Sequence, residues 1–253
     1  MMSKILLLVE GEKTEKELFQ RLYQLYEEDN LEIEIISYKT NIYAFYNGLK
    51  KRFKTDTEKI EYKAVDLALL LNDHLKLKGV RQYSDSDFIE KILVFDFDPH
   101  DSNYSENILI ELMENFSNST DIGKLYLNYP MIESFKDMES LEDENFMSSN
   151  FSKSMLVKNG YKQHIHQQSL KNKINRIDKI DKETARKLID LHQQKLEFIT
   201  KLSTSTSKKY LHLCQKQCKK LSEEGLIWVI NTSILHLFDE YGVLKGDDTI
   251  CHL

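Results

Sequence analysis

Short apolar segments alternate with amphipathic ones at the start of the chain. Residues 4–9 are K-I-L-L-L-V, a short apolar run behind a lysine that stops at Glu10 and Gly11, a pattern typical of a buried parallel strand. A helix is predicted over residues 14–28, because its start fits the capping-box pattern T-E-K-E and its leucines follow at helical spacing. The chain therefore opens with a strand, a turn and a helix.

The same alternation continues to residue 137. The elements that follow are a strand at 31–38, a helix at 41–53, an inserted helix at 64–77, a strand at 91–95, a helix at 105–116 and a strand at 124–128. The inserted helix belongs to a predicted helical insertion at about residues 55–88. This order predicts an α/β domain with a mainly parallel central sheet and helices on both faces.

The pattern changes after residue 137. Residues 138–155 are polar and rich in Ser and Asn, which predicts a linker or a mobile loop. Residues 156–253 are predicted to form an α-helical, partly basic C-terminal region. Its last helix, predicted over 226–244, is strongly apolar and could pack on its own fold or dock a partner.

Charge is divided unevenly between the two parts. Residues 1–150 hold 17 basic and 30 acidic residues, whereas residues 151–253 hold 18 basic and 11 acidic ones. A basic segment can bind a polyanion such as nucleic acid, or it can be the solvated face of helices, and both interpretations stay open. Lys171, Lys173 and Arg176 are candidates for binding a phosphate backbone. Acidic neighbours such as Asp178 offer them ion pairs within the chain instead.

Composition excludes several classes of protein. Apolar residues make up 41% of the chain and aromatic residues 10%, which is enough for a folded core. The longest apolar runs have about five residues, far fewer than a membrane span needs. Three cysteines are too few for a disulfide framework, and no export signal follows Met1. We expect a soluble, cytoplasmic protein with no membrane partner.

Acidic residues stand at the ends of the predicted strands. Asp96 and Asp98 are two positions apart after the third strand, so both carboxylates can point to one side, and Glu10 ends the first strand. Three carboxylates suit Mg²⁺ or Mn²⁺. The alternative for the two aspartates is that they cap the following loop. We predict that Glu10, Asp96 and Asp98 bind the metal.

Three motifs resemble those of a known family. Residues 9–15 are V-E-G-E-K-T-E, residues 94–100 are V-F-D-F-D-P-H, and residues 128–135 are N-Y-P-M-I-E-S-F. They resemble the E-G-x-x-T-E, D-x-D-x-H and N-P-x-F-E-x-W motifs of Toprim domains in the RloB-like and OLD-like branch. The third motif departs from the family pattern by an inserted Tyr129, which leaves the role of Glu133 open. The resemblance covers about half of the chain, roughly residues 4–137.

The resemblance implies Toprim chemistry. Glu10 would act as general acid or base and contact the metal, while Asp96 and Asp98 would hold Mg²⁺ or Mn²⁺. Glu15, also a candidate catalytic residue, could be a second metal ligand or a cap on the first helical turn. His100 could be a group on the substrate side or a part of the loop structure.

The resemblance also implies a biological role. Nucleases of this branch commonly act as toxic effectors of anti-phage systems, beside or fused to an ABC-type or SMC-type ATPase. This sequence has no G-x4-G-K-[ST] motif, so such an ATPase would be a separate protein. DNA, RNA such as tRNA, and a homo-oligomer all stay open.

Two other functions fit the same residues. One is a haloacid-dehalogenase-like phosphatase that uses Asp96 and Asp98, although that family usually carries its D-x-D on the first strand. The other is a non-catalytic interaction protein with a Toprim-like fold.

Overall fold

The computed structural model describes residues 3–26, 31–79, 82–156, 160–169, 174, 176–203 and 208–242. It has an α/β fold with a mostly parallel, five-stranded central sheet. The first part contains β1 (Ser3–Val9), α1 (Thr14–Leu25), β2 (Leu31–Ser37), α2 (Ile42–Phe53), α3 (Leu67–Leu75), β3 (Glu90–Asp96), α4 (Glu106–Asn115), β4 (Ser117–Asn118) and β5 (Gly123–Asn128). The second part contains β6 (Asn150–Ser152), α5 (Lys153–Leu156), α6 (Gly160–Ser169), α7 (Lys182–Thr200), α8 (Lys209–Glu224), β7 (Leu226–Trp228) and α9 (His236–Tyr241).

The order of strands brings several carboxyl ends together. The central sheet runs β2-β1-β3-β5-β4. Strand β1 lies in parallel between β2 and β3, and β3 lies in parallel beside β5. Because parallel strands share one direction, β1, β3 and β5 end at the same edge of the sheet. At this edge Asp96 pairs in register with Asn128.

Burial explains why β1 and β3 occupy the middle of the sheet. Residues 5–9 are 0% exposed, and residues 92–95 are at most 1% exposed. A strand with apolar side chains on both faces is stable when helices cover both faces. The predicted α/β class with a mainly parallel sheet is therefore confirmed, and the helices predicted before residue 120 correspond to α1–α4. The two-residue strand β4 was not predicted, because it is too short to have a period.

The start of α1 differs from the predicted capping box. The N-cap residue is Lys13, which makes no side-chain cap, and Thr14 is already the first helical residue. Glu15 instead accepts a hydrogen bond from the Gly11 N–H at 2.9 Å. The glutamate therefore ties the turn after β1 to the first turn of α1.

Residues 138–155 differ from the expected linker or mobile loop. They contain a 3₁₀ turn at Glu144–Ser148 and then β6, which pairs antiparallel with β7. Lys195 of α7 donates hydrogen bonds from Nζ to the backbone oxygens of Phe146 and Ser149, at 2.5 and 3.0 Å. The segment is packed because its backbone groups find partners on α7 and β7.

The prediction of a helix over 226–244 is wrong. Leu226–Trp228 form β7, Ile230 makes a β-bridge with Tyr129, and the helix that follows is restricted to His236–Tyr241. The side chain of Thr232 donates to the Leu127 oxygen at 2.7 Å, and Asn231 Nδ2 donates to the Ile132 oxygen at 2.7 Å. Such side-chain bonds to backbone groups compete with helix formation.

The apolar residues of this last segment pack on the chain's own fold. Ile227, Ile230 and Leu237 are at most 1% exposed, so they do not offer a docking surface. Buried apolar residues from both parts of the chain belong to one continuous cluster. Within the ranges given above, no helix is long and apolar enough to cross a membrane.

Candidate functional site

The candidate site lies where β1 and β3 end. Glu10 follows β1 directly, and its backbone N–H donates to the Val94 oxygen at 3.1 Å. Its side chain reaches across to β3, because Oε2 accepts a hydrogen bond from the Asp96 N–H at 3.1 Å. Glu10 and Asp96, predicted from separate motifs, are therefore direct neighbours.

Phe97 separates the two aspartates and anchors them to the core. Its side chain is 0% exposed. The Phe97 N–H donates to the Asn128 oxygen at 3.0 Å, and its own oxygen accepts from the Tyr43 hydroxyl at 3.1 Å. Asp96 and Asp98, on either side of Phe97, remain partly exposed at the edge of the sheet.

Asp98 begins a tight loop that is fixed at several points. It has a positive φ of 47°, a left-handed conformation that Asp tolerates better than most residues. The Asp98 oxygen accepts from the Asp101 N–H at 3.2 Å. His100 Nε2 lies 3.5 Å from Asp98 Oδ1, and Asn41 Nδ2 donates to Asp101 Oδ2 at 2.6 Å. His100 thus lies beside Asp98, and Asp101 is held within the loop by these hydrogen bonds.

Glu15 is held against the backbone at Gly11. Its side chain is 6% exposed and accepts the Gly11 N–H. A Cβ atom at position 11 would lie 2.5 Å from Glu15 Oε1, closer than real Cβ contacts. Glycine is therefore the residue that lets the buried carboxylate of Glu15 approach this turn.

Glu133 and Lys162 join the site from distant parts of the chain. Glu133 lies on the 3₁₀ turn Ile132–Lys136, which follows β5. Lys162 lies on α6, and its Nζ is 4.0 Å from Glu133 Oε1. Burial raises the pKa values of Glu10, Glu15 and Asp98, and the positive charge of Lys162 offsets a part of this rise. Lys162 is therefore a cation that faces the carboxylates from the second part of the chain.

Burial and mutual repulsion disfavour the ionised form of the carboxyl groups in this cluster. Burial is the main cause of a Glu10 pKa raised to about 8, and the charges of Asp98 and Glu15 add to it. Burial also raises the pKa of Asp96 well above its usual value, with further repulsion from Glu10, Glu15 and Glu133. The pKa values of Glu15 and Asp98 are raised by burial as well. The cluster favours a bound proton or a cation.

The donor chemistry of this cluster fits a hard divalent cation. Carboxylate oxygens are the ligands that Mg²⁺ and Mn²⁺ prefer, and a cation would offset the repulsion that raises these pKa values. Among the residues that the structure describes, however, no group of three or more His, Cys, Asp or Glu side chains is arranged to hold a metal ion. To bind a metal ion together, Glu10, Asp96 and Asp98 would have to rotate their side chains. Glu10, for example, would give up the hydrogen bond that Oε2 accepts from the Asp96 N–H.

Of the three predicted phosphate-binding residues, the structure describes Arg176. Arg176 pairs with Asp178 at 2.9 Å, and both side chains are exposed. Of the basic residues nearby, Lys187 pairs with Glu183 at 3.1 Å. Lys171 and Lys173 lie outside the described residues. Arg176 therefore follows the alternative in which the basic stretch forms ion pairs within the chain.

Sequence reasoning missed Lys162 and did not assign Glu133. No motif marks Lys162, because its proximity to Glu133 comes from the packing of α6 on the 3₁₀ turn after β5. Glu133 belongs to the third motif, and an acidic residue beyond the end of β5 was the available clue.

Comparisons with known proteins do not add a family to this description. No family model, no curated protein and no solved structure matches the chain.

Proposed function

We propose that this protein is a Mg²⁺- or Mn²⁺-dependent nuclease with a Toprim-like catalytic domain at residues 1–137. The observation that carries the proposal is the meeting of Glu10, Asp96 and Asp98 at the carboxyl edge of a parallel sheet, where their pKa values are raised. Among the described residues, the contacts of this cluster with basic side chains are long: Lys162 Nζ lies 4.0 Å from Glu133 Oε1, and His100 Nε2 lies 3.5 Å from Asp98 Oδ1. Carboxyl groups with shifted pKa values at the ends of parallel strands are typical of a functional site.

Each carboxylate has a proposed role. Asp96 and Asp98 would hold the metal with help from Glu10, and Glu15 would support them from the first turn of α1. Bound Mg²⁺ supplies positive charge that stabilises the charge developing on phosphate oxygens. Glu10 exchanges a proton with the reacting oxygens, because a pKa near 8 lets it hold or release a proton at cellular pH.

Lys162 and His100 supply contacts on the substrate side. The Lys162 side chain is 57% exposed, so its ammonium can turn from Glu133 to a phosphate oxygen. The His100 side chain is 38% exposed and stands beside Asp98, where it can donate to the same phosphate or to the leaving group. These groups recognise a phosphodiester and carry no preference between DNA and RNA.

The wider role rests on the motif resemblance. In this proposal the protein is a cytoplasmic toxic effector of anti-phage defence, and a separate ABC-type or SMC-type ATPase controls it. The motifs of residues 9–15 and 94–100 support the proposal, and the positions of Glu10, Asp96 and Asp98 are compatible with it.

The phosphatase alternative has less support. The haloacid-dehalogenase-like family usually carries its D-x-D on the first strand, whereas Asp96 ends the third strand, β3, and Asp98 follows it. The non-catalytic alternative has no specific observation in its favour, and the experiment below decides it.

The test is a cleavage assay with the purified full chain. Plasmid DNA, total tRNA and a chromogenic phosphomonoester are each incubated with Mg²⁺ or Mn²⁺. We expect metal-dependent cleavage of a polynucleotide by wild type and by Asp56→Asn, an exposed control carboxylate, and none by Asp96→Asn. Cleavage of the phosphomonoester alone would support the phosphatase, and metal binding without any cleavage, also with a co-expressed partner, would support the interaction protein.

A further inference from the structure

Asp137 links the turn that carries Glu133 to the helix that carries Lys162. It directly follows the 3₁₀ turn Ile132–Lys136 and is 8% exposed. Its Oδ2 accepts a hydrogen bond from the Tyr161 hydroxyl at 2.9 Å. Its Oδ1 lies 3.0 Å from His164 Nε2. Both carboxylate oxygens are thus occupied by side chains of α6.

The two α6 side chains that contact Asp137 flank Lys162 in sequence. Tyr161 is 0% exposed, and its ring lies 4.6 Å from the ring of Phe151. His164 lies 5.3 Å from the same ring. Residues three apart share a face of a helix, so Tyr161 and His164 hold one face of α6 while Lys162 extends from it toward Glu133.

Helix α6 depends on such contacts for its orientation. It has ten residues, and an isolated helix of this length is marginal in water. Asp137 makes two hydrogen bonds to it, one of them charge-assisted by a histidine whose pKa the carboxylate raises. Loss of Asp137 would therefore free the helix at the point where Lys162 meets the acidic cluster.

We infer that Asp137 is a positioning residue which, through Tyr161 and His164, holds Lys162 of α6 at the acidic cluster to bind a phosphate of the substrate. The second part of the chain thereby completes a site whose carboxylates come from the first part. This inference deepens the proposed nuclease function and rests on it for the identity of the substrate.

The first measurement needs no activity. Hydrogen–deuterium exchange is followed in α6 for wild type, Asp137→Asn, Tyr161→Phe and the control Gln163→Ala, which changes an exposed residue of the same helix. Each hydrogen-bond variant should raise exchange in α6 by about tenfold, and the control should leave it unchanged. Unchanged exchange in both hydrogen-bond variants, with the overall fold intact, overturns the inference.

The second measurement is binding of fluorescein-labelled DNA and RNA oligonucleotides in Mg²⁺. Lys162→Ala should weaken binding by about tenfold and Lys162→Arg should restore most of it. If Asp137 acts through Lys162, Asp137→Asn should weaken binding by a similar factor and add little to Lys162→Ala. Losses that multiply in the double variant mean that Asp137 acts by another route and overturn the inference.

The two proposals fail in different ways. A wild-type protein that binds oligonucleotide but cleaves none, also with a co-expressed partner, removes the nuclease proposal and leaves the positioning of Lys162 intact. A wild-type protein that binds neither oligonucleotide overturns both. Binding and cleavage that are insensitive to Lys162→Ala overturn the positioning inference alone.

Discussion

The backbone N–H of Asp96 donates a hydrogen bond to Glu10 Oε2 at 3.1 Å, which joins the end of β3 to the residue after β1. Through this contact a carboxyl group with a pKa of about 8 lies beside a second carboxyl group whose pKa is also raised.

The paired change Asp96→Asn and Asp98→Asn should abolish divalent-dependent cleavage and leave the fold intact. The substitutions remove repelling carboxylates of similar size from the sheet edge and empty no part of the core. Cleavage is measured over a Mg²⁺ titration, and circular dichroism checks the fold. A double variant that cleaves at the wild-type rate would show that the metal assignment is wrong.

Glu10→Gln should stabilise the metal-free protein at alkaline pH. Below about pH 4.5 the carboxyl group is protonated in both states. Between that value and about 8 the folded state keeps a proton that the unfolded chain has released, so the contribution of Glu10 to stability falls as pH rises through this window. Removing the carboxyl should therefore raise the free energy of unfolding by ~1–3 kcal/mol at pH 8 and have little effect at pH 4.

The check for Glu10 is a pair of denaturant titrations in chelator at both pH values. Asp56→Asn serves as the exposed control. Equal stability of wild type and Glu10→Gln at pH 8 would contradict the raised pKa of Glu10.

Gly11→Ala should displace Glu15 and impair the site. The new Cβ would meet the Glu15 carboxylate at 2.5 and 2.6 Å, so the buried side chain has to move. We expect a loss of ~1–2 kcal/mol in stability and roughly a tenfold fall in cleavage rate. In a Glu15→Ala background the same change should cost little stability, because the clashing atoms are gone. Equal costs in both backgrounds would refute the contact.

Two buried histidines should lower the stability of the fold as the pH falls, because burial disfavours their protonated forms. Burial lowers the pKa of His192 to about 3 and that of His236 to about 4, and both side chains are 0% exposed. The unfolded chain protonates these two histidines below about pH 6.5 while the folded chain does not, so their contribution to stability decreases as pH falls from there toward 4. The ring resonances of both histidines should not titrate above pH 5 by NMR, and titration of either near pH 6.5 would contradict this.

Expression of the chain in a bacterium tests the effector role. Wild type should arrest growth, either alone or after phage challenge with a co-expressed neighbouring gene, and Glu10→Ala should not. The reason is that a nuclease damages the cell once it is released from restraint. Equal growth of both strains under all of these conditions would reject a toxic effector while leaving the chemistry of the site open.

The fold of the first part and three residues of the site could be predicted from the sequence. Continuous apolar runs are characteristic of strands buried on both faces, and β1 and β3 have such runs. Parallel strands separated by helices must end at one edge, so Glu10, Asp96 and Asp98 come together for a reason that is local in sequence.

Tertiary structure alone decided the rest. Lys162 reaches Glu133 because Asp137 binds two side chains of α6, and no local period records such a contact between distant segments. The apolar stretch after Gly225 has the composition of a buried helix. Its backbone instead pairs with β6 and Tyr129, and its Thr232 side chain donates a hydrogen bond to Leu127 of β5. A local pattern specifies which face of a segment is buried, whereas the hydrogen-bond partners that complete the segment are fixed only when the chain has folded around it.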